Sequence, residues 1–319
     1  MQKLDNQTDL SFAITADSGE LETQAHLLVQ SIRRVYSDAP ILVFVPESSL
    51  SQMADEVIDY FDSVGQIATG EIPIPEYPIS ALIQAFVAAE ARFDTEYLVA
   101  LDTDTLVFDQ LCIPSDGNVW LRPADVGAQY WASEGAWDAW TTIYRRLGHE
   151  PPKRPEWLIA SVDGRPIPPY WNSGVIITTD RSLPTRWLEY TKVLYHEDEL
   201  PVSTNEFFID QISLAIAVRE NTVRPLRERE NYPLGGRLVV PSDVAVLHYG
   251  DRHNLARVLP FQLRTELKRG DAIPPFGISD LLFSFLVLFS TKSGIILPYK
   301  QKERARQIVK HYLPSAMTQ

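Results

Sequence analysis

The run Tyr97-Leu98-Val99-Ala100-Leu101-Asp102-Thr103-Asp104-Thr105-Leu106-Val107 joins five apolar residues to two carboxylates one residue apart. Five consecutive apolar residues predict a strand covered on both faces. Two carboxylates at its end cannot both sink into a core without a counter-charge. At the tip of a strand they can converge through the turn on a hard divalent cation, leaving positions for water and a diphosphate. A turn whose Asp side chains accept backbone N–H groups satisfies the same residues equally well.

Upstream of this run, residues 11–16 predict a buried strand that ends in the polar turn Asp17-Ser18-Gly19. Ala25, Leu28, Val29, Ile32 and Val35 recur at helical spacing, with Arg33 and Arg34 on the other side. Residues 41–45 form a continuous apolar strand closed by Pro46, and residues 53–61 and 79–93 read as helices. This alternation predicts an α/β fold with a doubly wound, mostly parallel sheet, and ligands at the carboxyl ends of its strands. Downstream, residues 131–171 hold five of the seven tryptophans along with Pro151, Pro152, Pro155, Pro166, Pro168 and Pro169, and read as an elaborated loop insertion. A strand at 174–178, helices at 183–195 and 207–218, and a strand at 244–248 complete the regular pattern. An apolar segment at 278–290 and a basic helix around 300–311 follow, so a main domain over 1–270 with a helical appendage over 271–319 is expected.

The charge balance sets the partners. With 29 basic against 42 acidic residues the chain carries −13, which repels a phosphate backbone and argues against nucleic acid. An anionic substrate then needs a locally positive site, from a metal or from clustered Arg and His. Cys112 is the single cysteine, which leaves neither an intrachain disulfide nor a Cys-based zinc site. The first residues lack an apolar signal core, and the stretch 281–289 falls short of the ~20 residues that span a bilayer. A cytoplasmic protein is therefore expected. The apolar stretch followed by Lys300, Lys302, Arg304, Arg306 and Lys310 suits peripheral contact with an anionic inner membrane surface, or packing against the domain or another subunit.

Two enzyme classes place Asp-x-Asp after an apolar strand. In haloacid-dehalogenase-type phosphatases the first Asp, here Asp102, is the nucleophile. That pattern wants a small Thr or Val where Leu106 stands, and its motif opens the domain. Its later Gly-Asp pair has a partial match in Gly250-Asp251. The chain more closely resembles the family 8 glycosyltransferases, the group of glycogenin and the bacterial lipooligosaccharide galactosyltransferases. Four segments carry the resemblance in order. They are the strand with Asp102 and Asp104, the stretch Tyr170-Trp171-Asn172-Ser173-Gly174-Val175, the pair Asp210-Gln211, and Val246-Leu247-His248-Tyr249-Gly250.

The resemblance implies a nucleotide-diphospho-sugar transferase of the glycosyltransferase A-type fold over 1–270, with 131–171 bordering the acceptor. It implies a metal held by Asp102, Asp104 and His248, and a neutral imidazole favours Mn²⁺ over Mg²⁺. Thr15, Ala16 and Asp17 would lie beside the nucleoside of a UDP-sugar, with Thr103 close by. Asn172, Ser173 and Gly174 would approach the donor sugar, Gly174 by leaving room for it. Asp210 and Gln211 would serve the anomeric centre. Gly250 and one of Arg252, His253 or Arg257 would meet the diphosphate, because the usual Lys after the His-x-x-Gly step is missing. Transfer would retain the anomeric configuration, to a hydroxyl acceptor that is a glycan, a lipid-linked sugar or a small molecule. Trp131 and Trp157 suit stacking on that acceptor, whereas Trp137 and Trp140 fit one buried helical face. Gln84 stands where relatives carry Lys or Arg, which keeps open a sugar-nucleotide-binding protein without catalysis. The basic run Arg224, Arg227, Arg229 reads as a solvated face or as part of the phosphate surround. Oligomeric state has no signature in the sequence.

Overall fold

Alternating apolar residues build the central sheet from both faces. In β1 (Leu10–Thr15), Phe12 and Ile14 face one layer and Ala13 the other. A helix, α1 (Glu20–Val35), then leads to β2 (Ile41–Pro46), where Val43 and Val45 part from Leu42 and Phe44 in the same way. Next come α2 (Asp55–Val64), the edge strand β3 (Gln66–Gly70), α3 (Ser80–Arg92) and β4 (Tyr97–Leu101). The computed structural model describes residues 1–6, 8–125, 137–153, 157–162, 164–196, 208–235, 237 and 240–250.

Past β4 the chain turns into β5 (Thr105–Val107), crosses to β6 (Val119–Pro123), and later forms α4 (Trp137–Arg146) and the long buried strand β7 (Trp171–Thr178). Helices α5 (Leu183–Tyr195) and α6 (Ile209–Ala217) follow, then the short strands β8 (Val223–Pro225), β9 (Tyr232–Pro233) and β10 (Val246–His248). The main sheet has seven strands in the order β8-β6-β7-β4-β1-β2-β3. Strands β4, β1, β2 and β3 are parallel to their neighbours, as are β6 and β8, and β7 alone among these runs against them. Apolar side chains of α1 and α2 cover one face; those of α3, α5 and α6 cover the other. The architecture is thus the mixed, mostly parallel α/β sheet expected of a glycosyltransferase A-type fold. A second sheet, β9-β10-β5, sits at its carboxyl edge.

Some boundaries differ from the sequence reading. The helix expected at 53–61 starts at Asp55, because Ala54 is still extended and the acidic Asp55 and Glu56 occupy the electropositive first turn. Strand β3 was not expected, since its half-exposed edge position demands no apolar pattern. The supposed loop insertion contains α4, whose Trp140, Ile143 and Tyr144 are buried. Strand β7 begins at Trp171, three residues before the expected start at Gly174. Trp131, His253, the apolar segment at 278–290 and the basic helix at 300–311 lie outside the described residues.

Candidate functional site

The turn after β4 is built by threonines. Thr105 donates to the Asp102 carbonyl through its backbone N–H at 3.1 Å and its hydroxyl at 2.7 Å. The Thr103 hydroxyl donates to the Thr15 carbonyl at 3.2 Å, which ties the turn to the end of β1. The Thr103 N–H donates to Asp102 Oδ1 at 2.8 Å, so one carboxylate oxygen does the capping work that such a turn invites. The remaining acceptor capacity of Asp102, with Asp104, is left for something else.

His248 reaches this turn by strand register. Strand β10 pairs antiparallel with β5 and sets His248 opposite Thr105. Ligand atoms from Asp102, Asp104 and His248 then lie within 4.8 Å of one another. Asp104 Oδ1 stands 3.1 Å from His248 Nε2, yet this buried oxygen accepts no well-aligned hydrogen bond. Three ligand atoms gathered this closely are what a cation site requires. Two hard carboxylates and one imidazole fit Mn²⁺ or a similar divalent ion. Burial, and next the Asp104 charge, push the Asp102 carboxyl up to about 7. Burial works against a charged His248, but Asp104 and Asp102 outweigh it and carry the imidazole up to about 9. The pocket is short of positive charge.

Strand β7 supplies the neighbouring wall. The Gly174 carbonyl accepts the Asp102 N–H at 2.9 Å, locking β7 to the turn. A Cβ on Gly174 would come within 2.6 Å of His248 Nδ1. The glycine therefore makes room for the imidazole. Ser173 donates to Asp210 Oδ2 at 2.5 Å, and the Tyr77 hydroxyl donates to Asp210 Oδ1 at 2.7 Å. The Asp210 N–H donates back to that hydroxyl at 3.1 Å, and the Trp187 indole N–H donates to the Asp210 carbonyl at 2.8 Å. Burial raises the Asp210 carboxyl, with the Ser173 and Tyr77 hydrogen bonds holding it back. Asp210 is the second residue of α6, where the helix dipole also favours its charge. The Asp210 charge in turn reaches Asp102 and adds to its upward shift.

The other expected residues are placed as follows. Asn172 is buried and its Oδ1 accepts the Gly174 N–H at 3.0 Å. Gln211 is half-buried beside Asp210. Ala16 is buried, while Thr15 and Asp17 are half-buried at the end of β1, where Asp17 Oδ1 accepts the Ser18 N–H at 2.6 Å. Gly250 is exposed just beyond β10 at φ +68°, a conformation that suits glycine. The arginines of the basic run are engaged elsewhere, Arg224 with Asp116, Arg227 with Glu230 and Arg229 with Asp109 and Glu230. Three site neighbours had no sequence signal: Tyr77 in a proline-rich loop, Asn231 between β8 and β10, and the buried Arg122 on β6. Each is polar, buried and isolated in sequence, so only the fold shows what it touches.

A family model described as the Rhodobacterales glycosyltransferase domain matches residues 12–222. No curated protein matches the chain in sequence. Among solved structures, the galactosyltransferase LgtC in complex with donor and acceptor sugar analogs aligns over 76% of this chain and 87% of its own, at 14% identity and a TM-score of 0.47. An active-site mutant of LgtC aligns over 81% and 95%, at 14% identity and a TM-score of 0.49. Mouse xyloside xylosyltransferase 1, without ligand, aligns over 79% and 100%, at 12% identity and a TM-score of 0.45. All three scores lie below 0.5, so the assignment rests on the sequence model. That model spans more than half of the chain and takes in Asp102, Asp104, Asn172, Ser173, Gly174 and Asp210, and the chain belongs to the Rhodobacterales glycosyltransferase domain family.

Proposed function

We propose that this glycosyltransferase uses a divalent cation, Mn²⁺ by preference, to move a sugar from a nucleotide diphosphate donor to a hydroxyl acceptor. The observation that carries the reading is the convergence of Asp102, Asp104 and His248 within 4.8 Å at the carboxyl end of a parallel strand. Such an ion, when bound, neutralises charge that builds on the departing diphosphate. Among the chain's own residues, Thr15, Ala16 and Asp17 flank the turn where the nucleoside of a UDP-sugar would lie, Thr103 joins the two, and Gly250 with His253 would close on the diphosphate. Asn172 and Ser173 frame the donor sugar. Asp210, held at both oxygens by Tyr77 and Ser173, is a fixed carboxylate that orients the donor rather than a mobile base. That rigidity favours retention at the anomeric carbon, with Gln211 beside it. NMR of the fresh product reads this, and an inverted linkage would reassign Asp210 as general base.

Residues 1–270 form the transferase in this reading and 271–319 an appendage suited to an anionic, cytoplasmic membrane face. Among the described residues no helix is long and apolar enough to cross a membrane. The family match lends no support to the phosphatase reading. A thermal-shift screen of nucleotide sugars with and without Mn²⁺ tests the proposal. One donor should raise the melting temperature only with metal, and Asp102→Ala and Asp104→Ala should each abolish that rise with the fold intact. Full metal-dependent donor binding in both variants would remove the site.

A further inference from the structure

The hydrogen bonds around His248 can be assigned from a fixed point. The Gly174 backbone N–H is a donor without ambiguity, and it points at Asn172 Oδ1 at 3.0 Å. That end of the Asn172 amide must therefore be its oxygen. The same oxygen lies 2.9 Å from the Asn231 side chain, so the end of Asn231 that faces it must be the NH₂ group. A flipped Asn231 would set oxygen against oxygen in a buried site, where nothing could offset the repulsion. The far end of Asn231 is then its oxygen, and it stands 3.3 Å from His248 Nδ1. An oxygen there accepts a hydrogen bond from the ring N–H and cannot donate one.

We infer that Asn231 is a positioning residue that keeps the proton of His248 on Nδ1 and presents Nε2 to the cation. This rests on the metal reading above. Asn231 is fully buried, and its backbone carbonyl is gripped by Arg122 Nη1 at 2.6 Å. Arg122 is itself buried and paired with Asp125 at 3.0 Å. Arg122 thus fixes the backbone from which the side chain extends, and turning the amide would break its bond to Asn172. Nε2 is the ring nitrogen nearest Asp104, 3.1 Å from Oδ1, so the ring presents it on the carboxylate side. A ligand histidine held this way through its other nitrogen is more basic and already oriented, and losing such a support costs about 10- to 100-fold in metal affinity. Asn231 also joins two segments distant in sequence, so that the wall formed by Asn172 and the imidazole ring move as one. The matched family region ends at residue 222 and does not contain Asn231 or His248.

The test titrates the full chain with Mn²⁺ alone by calorimetry, with no sugar nucleotide present. Asn231→Leu should lower affinity about 10- to 100-fold. Long-range ¹⁵N–¹H spectra of the wild type loaded with diamagnetic Zn²⁺ need no variant, and should show His248 with Nδ1 protonated and Nε2 ligated. Ligation through Nδ1, or Mn²⁺ affinity in Asn231→Leu equal to wild type, would overturn this inference alone. A wild-type chain that takes up neither Mn²⁺ nor Zn²⁺ would overturn the metal reading and this inference with it.

Discussion

At the residue scale the site is a cluster of protons waiting to be displaced. Without a cation, Asp104 and Asp102 outweigh burial and push the His248 imidazole from 6.5 up to about 9, and burial with the Asp104 charge pushes the Asp102 carboxyl from 3.8 up to about 7. Both folded values are raised above the unfolded ones, so the stability that Asp102 contributes is lost as pH rises from 3.8 to about 7, and that of His248 as it rises from 6.5 to about 9. The metal-free protein should melt progressively lower between pH 6 and pH 9. A cation replaces those protons with its own charge, so the upward shift in melting temperature on adding Mn²⁺ should grow over the same interval. A metal effect that shrinks as pH rises would contradict this account. Replacing His248 with Ala should weaken Mn²⁺ binding less than either Asp variant, because it removes one neutral ligand and leaves both carboxylates.

At the scale of elements, β7 works as a spacer as much as a core strand. Its residues at 175–177 fill the two apolar layers, while Gly174 lets the β10 histidine come close. Gly174→Ala should leave circular dichroism unchanged and cut Mn²⁺ affinity about tenfold or more, because the ring must swing off its position. Wild-type affinity in that variant would show that His248 is not held where the structure has it. The tryptophans of the middle segment divide along the same line between packing and exposure. Trp140 is 1% exposed and stacks edge-on against Tyr170, so Trp140→Ala should cost about 3–5 kcal/mol of stability. Trp157 is 42% exposed beside a two-residue strand. Trp157→Ala should melt as the wild type does and raise the acceptor KM without slowing donor hydrolysis. Equal melting losses in both variants would make Trp157 structural too.

For the whole molecule, the placement of the described metal-site and strand-end residues at one edge of the sheet follows from chain direction. Strands β1 and β4 deliver their carboxyl ends there, and the reversed β7 delivers its amino end, so that Gly174 meets Asp102. A phosphatase would pass through an aspartyl-phosphate on Asp102, which beryllofluoride with Mg²⁺ mimics. No thermal shift with that pair is expected, together with slow hydrolysis of a sugar nucleotide when acceptor is withheld. Stabilisation by beryllofluoride, or turnover of simple phosphate esters, would revive the phosphatase.

The sequence alone determined the central strands of the sheet, because buried parallel strands must be continuous apolar runs, and residues 11–15, 41–45 and 97–101 admit little else. It also marked Asp102 and Asp104, since two carboxylates at the end of such a run need a partner, whereas His248 entered only through the family resemblance. What it could not contain is how each site residue is held. Asp210 depends on Tyr77 across 133 positions, and His248 on Asn231 across 17, with Asn231 in turn bonded to Asn172 across 59. A lone Tyr or Asn has no periodicity and no flanking pattern, and its value lies only in the buried groups it faces. The reason for Gly174 was hidden for the same cause, because the atom it avoids belongs to a strand 74 residues later, brought there by the register of β10 on β5. Only the folded chain could place that ring.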